Sequence, residues 1–197
     1  MDLLNIIKTV EKCQRNFDLT QPIPETHLKF ILDAATSMPT RQNRIHYNIT
    51  VVNDAKLTRD IYTNIAFDKD DRDHDLRNGQ TYAPLLLIFG TDSKMLENEK
   101  YEYRKYDVPM SVGLASGAAA IAASSIGYVT GFCRCFNEDL LEQWIFKTYN
   151  KKSIEPRLML GIGKPNTKFD RTECVIDDEV VYTAKSMGNK DIEIFRK

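Results

Sequence analysis

Residues 111–136 read SVGLASGAAAIAASSIGYVTGFCRCF, and the other elements have to be arranged around them. The first half is a helix dense in Ala, Gly and Ser; the second is an aromatic and β-branched run that reads as a strand. A helix so free of charge is poorly suited to water, and one so poor in bulk cannot fill a core alone, so neighbouring backbones must approach it closely. It is expected to be central and buried, in a core or at a subunit interface. From Val108 to Ile126 it is long enough to span a bilayer. Ser111, Ser116, Ser124 and Ser125, with Gly113 and Gly117, lower its hydropathy below that of a transmembrane segment, and no membrane association is expected.

At 197 residues the chain is expected to form one domain, able to bury a core without disulfides or metal. Its net charge of -1 and pI near 6.3 give no electrostatic footprint for nucleic acid or an anionic membrane. Cys13, Cys133, Cys135 and Cys174 include one C-x-C and no C-x-x-C, and His27, His46 and His74 are scattered. Neither zinc nor a disulfide framework fits that spacing. The opening MDLLNIIKTVEKC carries Asp2, no basic n-region and no small-residue cleavage site, so it does not read as a signal peptide. A reducing cytoplasm is the expected location.

Leu3, Leu4, Ile6, Ile7 and Val10 recur at helical spacing, predicting an amphipathic helix over residues 2–12. Lys12 and Arg15 follow it, either as ordinary partners of the helix dipole or as ligands for a phosphate. Pro24 starts a second helix over 24–36, with Leu28, Ile31, Leu32 and Ala35 on one face. The polar loop 37–44, rich in side-chain donors, then leads into a strand over 47–53. Asp54 caps a helix carrying Leu57, Ile61 and Ile65, and residues 67–79 break periodicity with dense mixed charge. Residues 83–90, APLLLIFG, read as a strand buried on both faces. Residues 94–106 read as a short helix or lid with Tyr101, Tyr103 and Tyr106. After the central stretch Asn137 caps a helix whose expected buried face is Leu140, Leu141, Trp144 and Ile145. Residues 157–163 form another buried strand, the basic loop 164–171 follows, and CVIDDEVVYT and DIEIF read as two late strand-like runs.

Nucleotide fingerprints, P-loops, zincins and the hydrolase elbow are all absent from the sequence. The cations Lys12, Arg15, Arg41, Lys168 and Arg171, all near loop or element ends, fit a phosphate-bearing cofactor. Cys133 or Cys135 with His46 is a conceivable nucleophile pair, but buried, inert cysteine is the ordinary case.

Four landmarks in one order resemble the flavin-dependent nitroreductase family. They are Glu11-Lys12-Cys13-Gln14-Arg15-Asn16-Phe17 after the first helix; Pro39 to Tyr47 before a strand; Ser111-Val112-Gly113-Leu114-Ala115 through Ile126-Gly127-Tyr128-Val129-Thr130; and Gly161-Ile162-Gly163 leading to Lys168 and Arg171. The resemblance covers about residues 3–183. It implies an α+β fold with a mixed, mainly antiparallel sheet flanked by helices, and a homodimer with the central helix in its interface. Residues from about 172 onward would extend over the partner subunit. FMN would sit between subunits, reduced by NAD(P)H and reoxidised by a small acceptor such as a nitroaromatic or quinone in ping-pong turnover. A flavin-binding protein without turnover, or a specialised oxidase, dehalogenase or flavin-consuming enzyme, is the alternative.

By position, the resemblance assigns Lys12, Arg15, Lys168 and Arg171 to phosphate and ribityl oxygens, with Cys13 where a flavin-bonding Ser is usual. Thr40, Arg41 and Asn43 would face the ribityl chain and pyrimidine edge, with Gln42 beside them and Asn78 near the pyrimidine. Phe132, Cys133, Arg134 and Cys135 would lie over the dimethylbenzene and N5 side, with a backbone N–H at about Arg134 on N5. The chain departs from the family pattern at Glu11, in place of the first Arg, at Tyr47, in place of Trp, at Ala118, in place of the helix Asn, and at Cys135, in place of Gly.

Overall fold

The apolar run at residues 85–89 loses all contact with water: Leu85, Leu86, Leu87, Ile88 and Phe89 are each fully buried. Because strand side chains alternate, such a run needs cover on both faces. Leu85, Leu87 and Phe89 enter one core cluster, Leu86 and Ile88 another. Each of these side chains contributes about 1.5–3 kcal/mol through its burial.

The computed structural model describes residues 2–44, 47–67, 78–92, 103–151 and 154–183. The regular elements are α1 (Leu3–Val10), α2 (Glu25–Thr36), β1 (Asn48–Val52), α3 (Ala55–Asn64), β2 (Leu85–Asp92), α4 (Val108–Ser125), β3 (Val129–Cys133), α5 (Glu138–Tyr149), β4 (Ile154–Gly163), β5 (Glu173–Ile176) and β6 (Glu179–Thr183). Short 3-10 turns lie at Arg41–Asn43 and Gly79–Thr81, and a π-helical turn at Tyr103–Asp107 precedes α4. One sheet runs in the order β1-β2-β4-β3, with each described pair antiparallel, and β5 and β6 pair separately. Helices α2 and α4 cover one face, with Ile31, Ala115, Ala119 and Ala123 in that core. Helices α3 and α5 cover the other through Ile61, Leu141, Trp144 and Ile145. The α+β arrangement expected from the resemblance is thus present.

The caps follow the sequence. Asp54 accepts from the backbone N–H groups of Lys56 and Leu57, and Asn137 accepts from that of Leu140. Trp144, read as core, is buried and donates Nε1–H to Asp60 at 2.7 Å, joining α3 to α5. Helix α4 ends in a Schellman motif: Gly127, at φ +83°, donates to Ser124 O and Tyr128 donates to Ala123 O. That reversal delivers the chain directly into β3.

Three expectations change. Leu140 is 38% exposed, because α5 turns only Leu141, Trp144 and Ile145 inward. Residues 174–183 are not one strand but a hairpin, since Asp177 and Asp178 both take positive φ, as a tight two-residue hairpin turn requires. Helix α4 is buried on one side only. Its hydropathy is also not lowered below that of a membrane span, because Ala, Val, Ile, Leu and Met outweigh the serines: the stretch Lys105–Ser125 is long and apolar enough to cross a membrane, while Met110, Leu114 and Ile121 form an open stripe and the opposite side packs on α2 and the sheet. Readings for most of the charged loop 67–79, most of residues 94–106, Ile45, His46, His74 and DIEIF fall outside the described residues.

Gly161 sits where β4 crosses the Gly79–Thr81 turn, and a Cβ there would run into the Gln80 carbonyl. Gly161→Ala is expected to cost about 3 kcal/mol by overpacking against backbone, lowering the thermal midpoint by roughly 6–12 °C. A calorimetric scan with an unchanged midpoint would contradict this packing. Cys133 gives a pH test. Burial, and then its neighbour Cys135, push its thiol above the ordinary value of 9.0. The unfolded chain therefore gives up this proton first, so the thiol's contribution is complete below pH 9 and lost as pH rises beyond it. Urea unfolding should show stability falling above pH 9, less steeply in Cys133→Ala; identical slopes would exclude the thiol as the cause.

Candidate functional site

After α1 the chain runs as a short ribbon along β3. Gln14 N–H donates to Thr130 O at 2.9 Å, and Arg15 N–H donates to Arg171 O at 3.0 Å. The approach needs Gly131, where a Cβ would strike the Gln14 carbonyl. Arg171 closes the group by donating Nη1–H to Cys13 O at 3.3 Å. Two chain segments far apart in sequence therefore bring the Arg15 and Arg171 backbones into contact alongside β3, both residues half-buried.

Among the described residues neither arginine reaches a carboxylate at ion-pair distance. Burial pushes the Cys13 thiol up, and the charges of Arg15 and Arg171 oppose that only in part. The group thus presents two guanidinium cations and a neutral thiol. Arg15 also pulls down on the thiols of Cys133 and Cys174, both raised overall by burial, so its field reaches across this end of the sheet.

The Gly79–Thr81 turn is wedged beneath the ribbon, where a Cβ on Gly79 would lie 2.5 Å from Arg15 O and 2.6 Å from Cys174 Sγ. Asn78, expected near a pyrimidine edge, instead directs Nδ2 to Cys135 O at 3.0 Å and Ala66 O at 3.1 Å. Gln80, which the sequence did not single out, is buried, and its Nε2 donates to Phe132 O at 3.3 Å. Nothing in a short Gly-Gln-Thr run ahead of an apolar strand marks that glutamine as interior. The Arg134 side chain is engaged locally with Glu138 and lies 5.1 Å over the Phe136 ring, while Cys135 is exposed.

The remaining expected residues lie elsewhere. Lys12 is exposed just past α1. Lys168 stands 3.9 Å from Asp178, on the wall of a pocket of about 520 Å³ formed by Phe17, Asp18, Tyr82, Pro165 and the β5–β6 hairpin. In the loop before β1, Gln42 and Asn43 take left-handed φ of 58° and 54°, folding the turn back on itself. Arg41 Nη1 lies 3.1 Å from Asp107 Oδ2, a carboxylate only 4% exposed at the head of α4. Thr40 and Asn43 join Ser37, Met38, Pro39 and Tyr47 around a second pocket of about 430 Å³. This loop leads into β1, whereas the ribbon lines β3, the opposite edge of the sheet, with β2 and β4 between them. The expected residues therefore form two groups within one chain, not one.

No protein-family model matches the sequence, and no curated protein matches it. Solved structures do. A nitroreductase with bound FMN from Bacteroides fragilis superposes with a TM-score of 0.69 at 17% identity, over 94% of this chain and all of that one. A nitroreductase family protein from Clostridium novyi gives 0.67 at 20% identity, covering 87% of this chain and 90% of the other. A Staphylococcus epidermidis protein assigned as an NAD(P)H:FMN oxidoreductase gives 0.66 at 18%, covering 84% and 87%. The fold of this chain is the nitroreductase fold.

Proposed function

We propose that the chain is an FMN-dependent oxidoreductase, reduced by NAD(P)H and reoxidised by a small acceptor such as a nitroaromatic or quinone. The observation that carries the reading is the Arg15–Arg171 pair. Two arginines in backbone contact, neither within ion-pair distance of a carboxylate among the described residues, next to a thiol that burial keeps neutral, match the needs of a phosphate dianion. The bound FMN of the Bacteroides fragilis relative, in the same fold, supports naming that anion as FMN. The residues fit the group: Arg15 and Arg171 would hold the phosphate, and the backbone of Phe132 to Cys135 would border the ring. Bound there, the flavin supplies the hydride and electron chemistry, while the protein supplies orientation, hydrogen bonds and exclusion of competitors. Both substrates would use one exposed face in turn, giving ping-pong kinetics. The four cysteines, none of them in a disulfide, suit a reducing cytoplasm.

The active form is proposed to be a homodimer. The loop carrying Thr40, Arg41 and Asn43 and the Arg15 group lie at opposite sheet edges, so one flavin could meet both only if two copies contribute. Met110, Leu114 and Ile121 on α4, with Leu3, Leu4 and Ile7 on the neighbouring α1, offer an uncharged face for that contact. The β5–β6 hairpin, with Val180 and Val181 exposed, is proposed to begin the segment that covers the partner.

Purified protein should be yellow, should bleach with NADH or NADPH, and should recover its colour with a quinone. Retained colour without bleaching would make it a flavin-binding protein without turnover. Arg15→Ala or Arg171→Ala removes a charge-assisted contact of about 1.5–3 kcal/mol. FMN binding should weaken roughly tenfold to a hundred-and-fiftyfold, while riboflavin, lacking the phosphate, should bind both variants much as it binds the parent. Equal losses for the two flavins in fluorescence titrations would remove the phosphate role. Leu114→Glu should leave a folded monomer in sedimentation equilibrium, whereas Ala119→Glu, which buries a charge in the core, should not fold. A monomeric parent that holds FMN would overturn the dimer.

A further inference from the structure

The backbone leaving β3 is gripped at two points. Phe132 O accepts from Gln80 Nε2 at 3.3 Å and lies 3.9 Å from Cys13 Sγ, whose one proton it shares with Gln14 O at the same distance. Three residues on, Cys135 O accepts from Asn78 Nδ2 at 3.0 Å and from Cys133 Sγ at 3.4 Å. The carbonyls flanking Cys133 and Arg134 are thus each held by one amide and one thiol. The amides are themselves linked, since Gln80 Nε2 lies 3.4 Å from Asn78 Oδ1, and Asn78 Nδ2 also reaches Ala66 O at 3.1 Å. The orientation of Gln80 follows from its partners: reversing the amide would set its oxygen against two acceptors. Its Oε1 is buried with no hydrogen-bond partner among the described residues, so burying Gln80 costs stability that its donor side must offset. Both thiols donate only when protonated, and burial raises both.

We propose that Asn78, Gln80, Cys13 and Cys133 are positioning residues that fix the backbone of residues 132–135, and that through the N–H at Arg134 they set the reduction potential of the bound flavin. The inference rests on the flavin reading above. Oxidised flavin accepts a hydrogen bond at N5, whereas reduced flavin carries a proton there and donates. A rigidly held N–H facing that atom favours the oxidised form, and loosening it shifts the preference toward the reduced form.

The test compares the parent with Gln80→Met and Asn78→Ala. Two quantities are measured: amide hydrogen exchange of residues 133–136 in flavin-free protein, and the affinities for oxidised and reduced FMN. Exchange should quicken in both variants. The preference for oxidised over reduced FMN should fall about tenfold, raising the two-electron potential by about 30 mV. Cys13→Ser, which keeps a donor, should stay near the parent, while Cys13→Ala should move with the amide variants. Should Gln80→Met fail to fold at its crowded site, Asn78→Ala, at a half-buried position, carries the test. Unchanged exchange, or equal losses for the two redox forms, would overturn the inference and leave the flavin reading intact. A parent that binds FMN in neither form would overturn both.

Discussion

The two-faced burial of β2 is the constraint from which the other layers follow. A strand with no polar face cannot lie at a surface, so α2 and α4 must cover Leu85, Leu87 and Phe89 while α3 and α5 cover Leu86 and Ile88. Among the described residues the sheet is four strands wide, with β1 and β3 at its edges. Edge strands carry unpaired backbone groups, and here they are put to use. The ribbon Cys13–Arg15 takes up the edge of β3, and the loop before β1 folds over the opposite side. The candidate site residues therefore collect along the two edges of the described sheet.

Along β3 the energetics favour rigidity. Gly131 and Gly161 let the ribbon and the Gly79–Thr81 turn come within contact of the strands, and the nearest atom to a Cβ at either glycine would be a backbone carbonyl oxygen. Backbone so close-packed has to be hydrogen-bonded, since burying an unpaired amide costs about 1–3 kcal/mol. Gln14 N–H, Arg15 N–H, Gln80 and Asn78 answer that requirement. The same bonds that satisfy the interior thereby define where Arg15, Arg171 and the Phe132–Cys135 backbone stand.

Most of the fold was legible in the sequence because period and caps are local signals. Asp54, Asn137 and the apolar run at 85–89 each announce their element without reference to the rest of the chain. The order of the late glycines and of the small-residue helix carried the resemblance. What stayed hidden depends on partners distant in sequence. Gln80 is interior only because Gly131 and Gly161 make room for it, and Asn78 turns to Cys135 O only because β3 ends beside it. The hairpin in residues 174–183 was missed for a different reason: Asp-Asp is an uncommon choice for two positive φ values, where Asn-Gly or Asp-Gly would have signalled the turn. Lys168 lines the pocket beside the β5–β6 hairpin, a placement set by the path of its loop and not by spacing along the chain.

The Arg41–Asp107 pair ties the two halves of this arrangement together. Asp107 is buried at the head of α4, where the helix dipole favours an anion, and its partner is the loop residue that opens the turn Arg41–Asn43. Arg41 is 51% exposed, so solvent screens the pair and its direct stabilisation is modest, about 1 kcal/mol or less. Its consequence is geometric. The loop's position is referenced to α4, and α4 is the element whose uncharged stripe a second copy would cover. In the proposed homodimer, a loop fixed to α4 of one subunit would be presented at a defined height to the Arg15 edge of the other. In the proposed homodimer, assembly and site geometry would be coupled through this one helix, since a shift of α4 would carry Asp107 and with it Arg41.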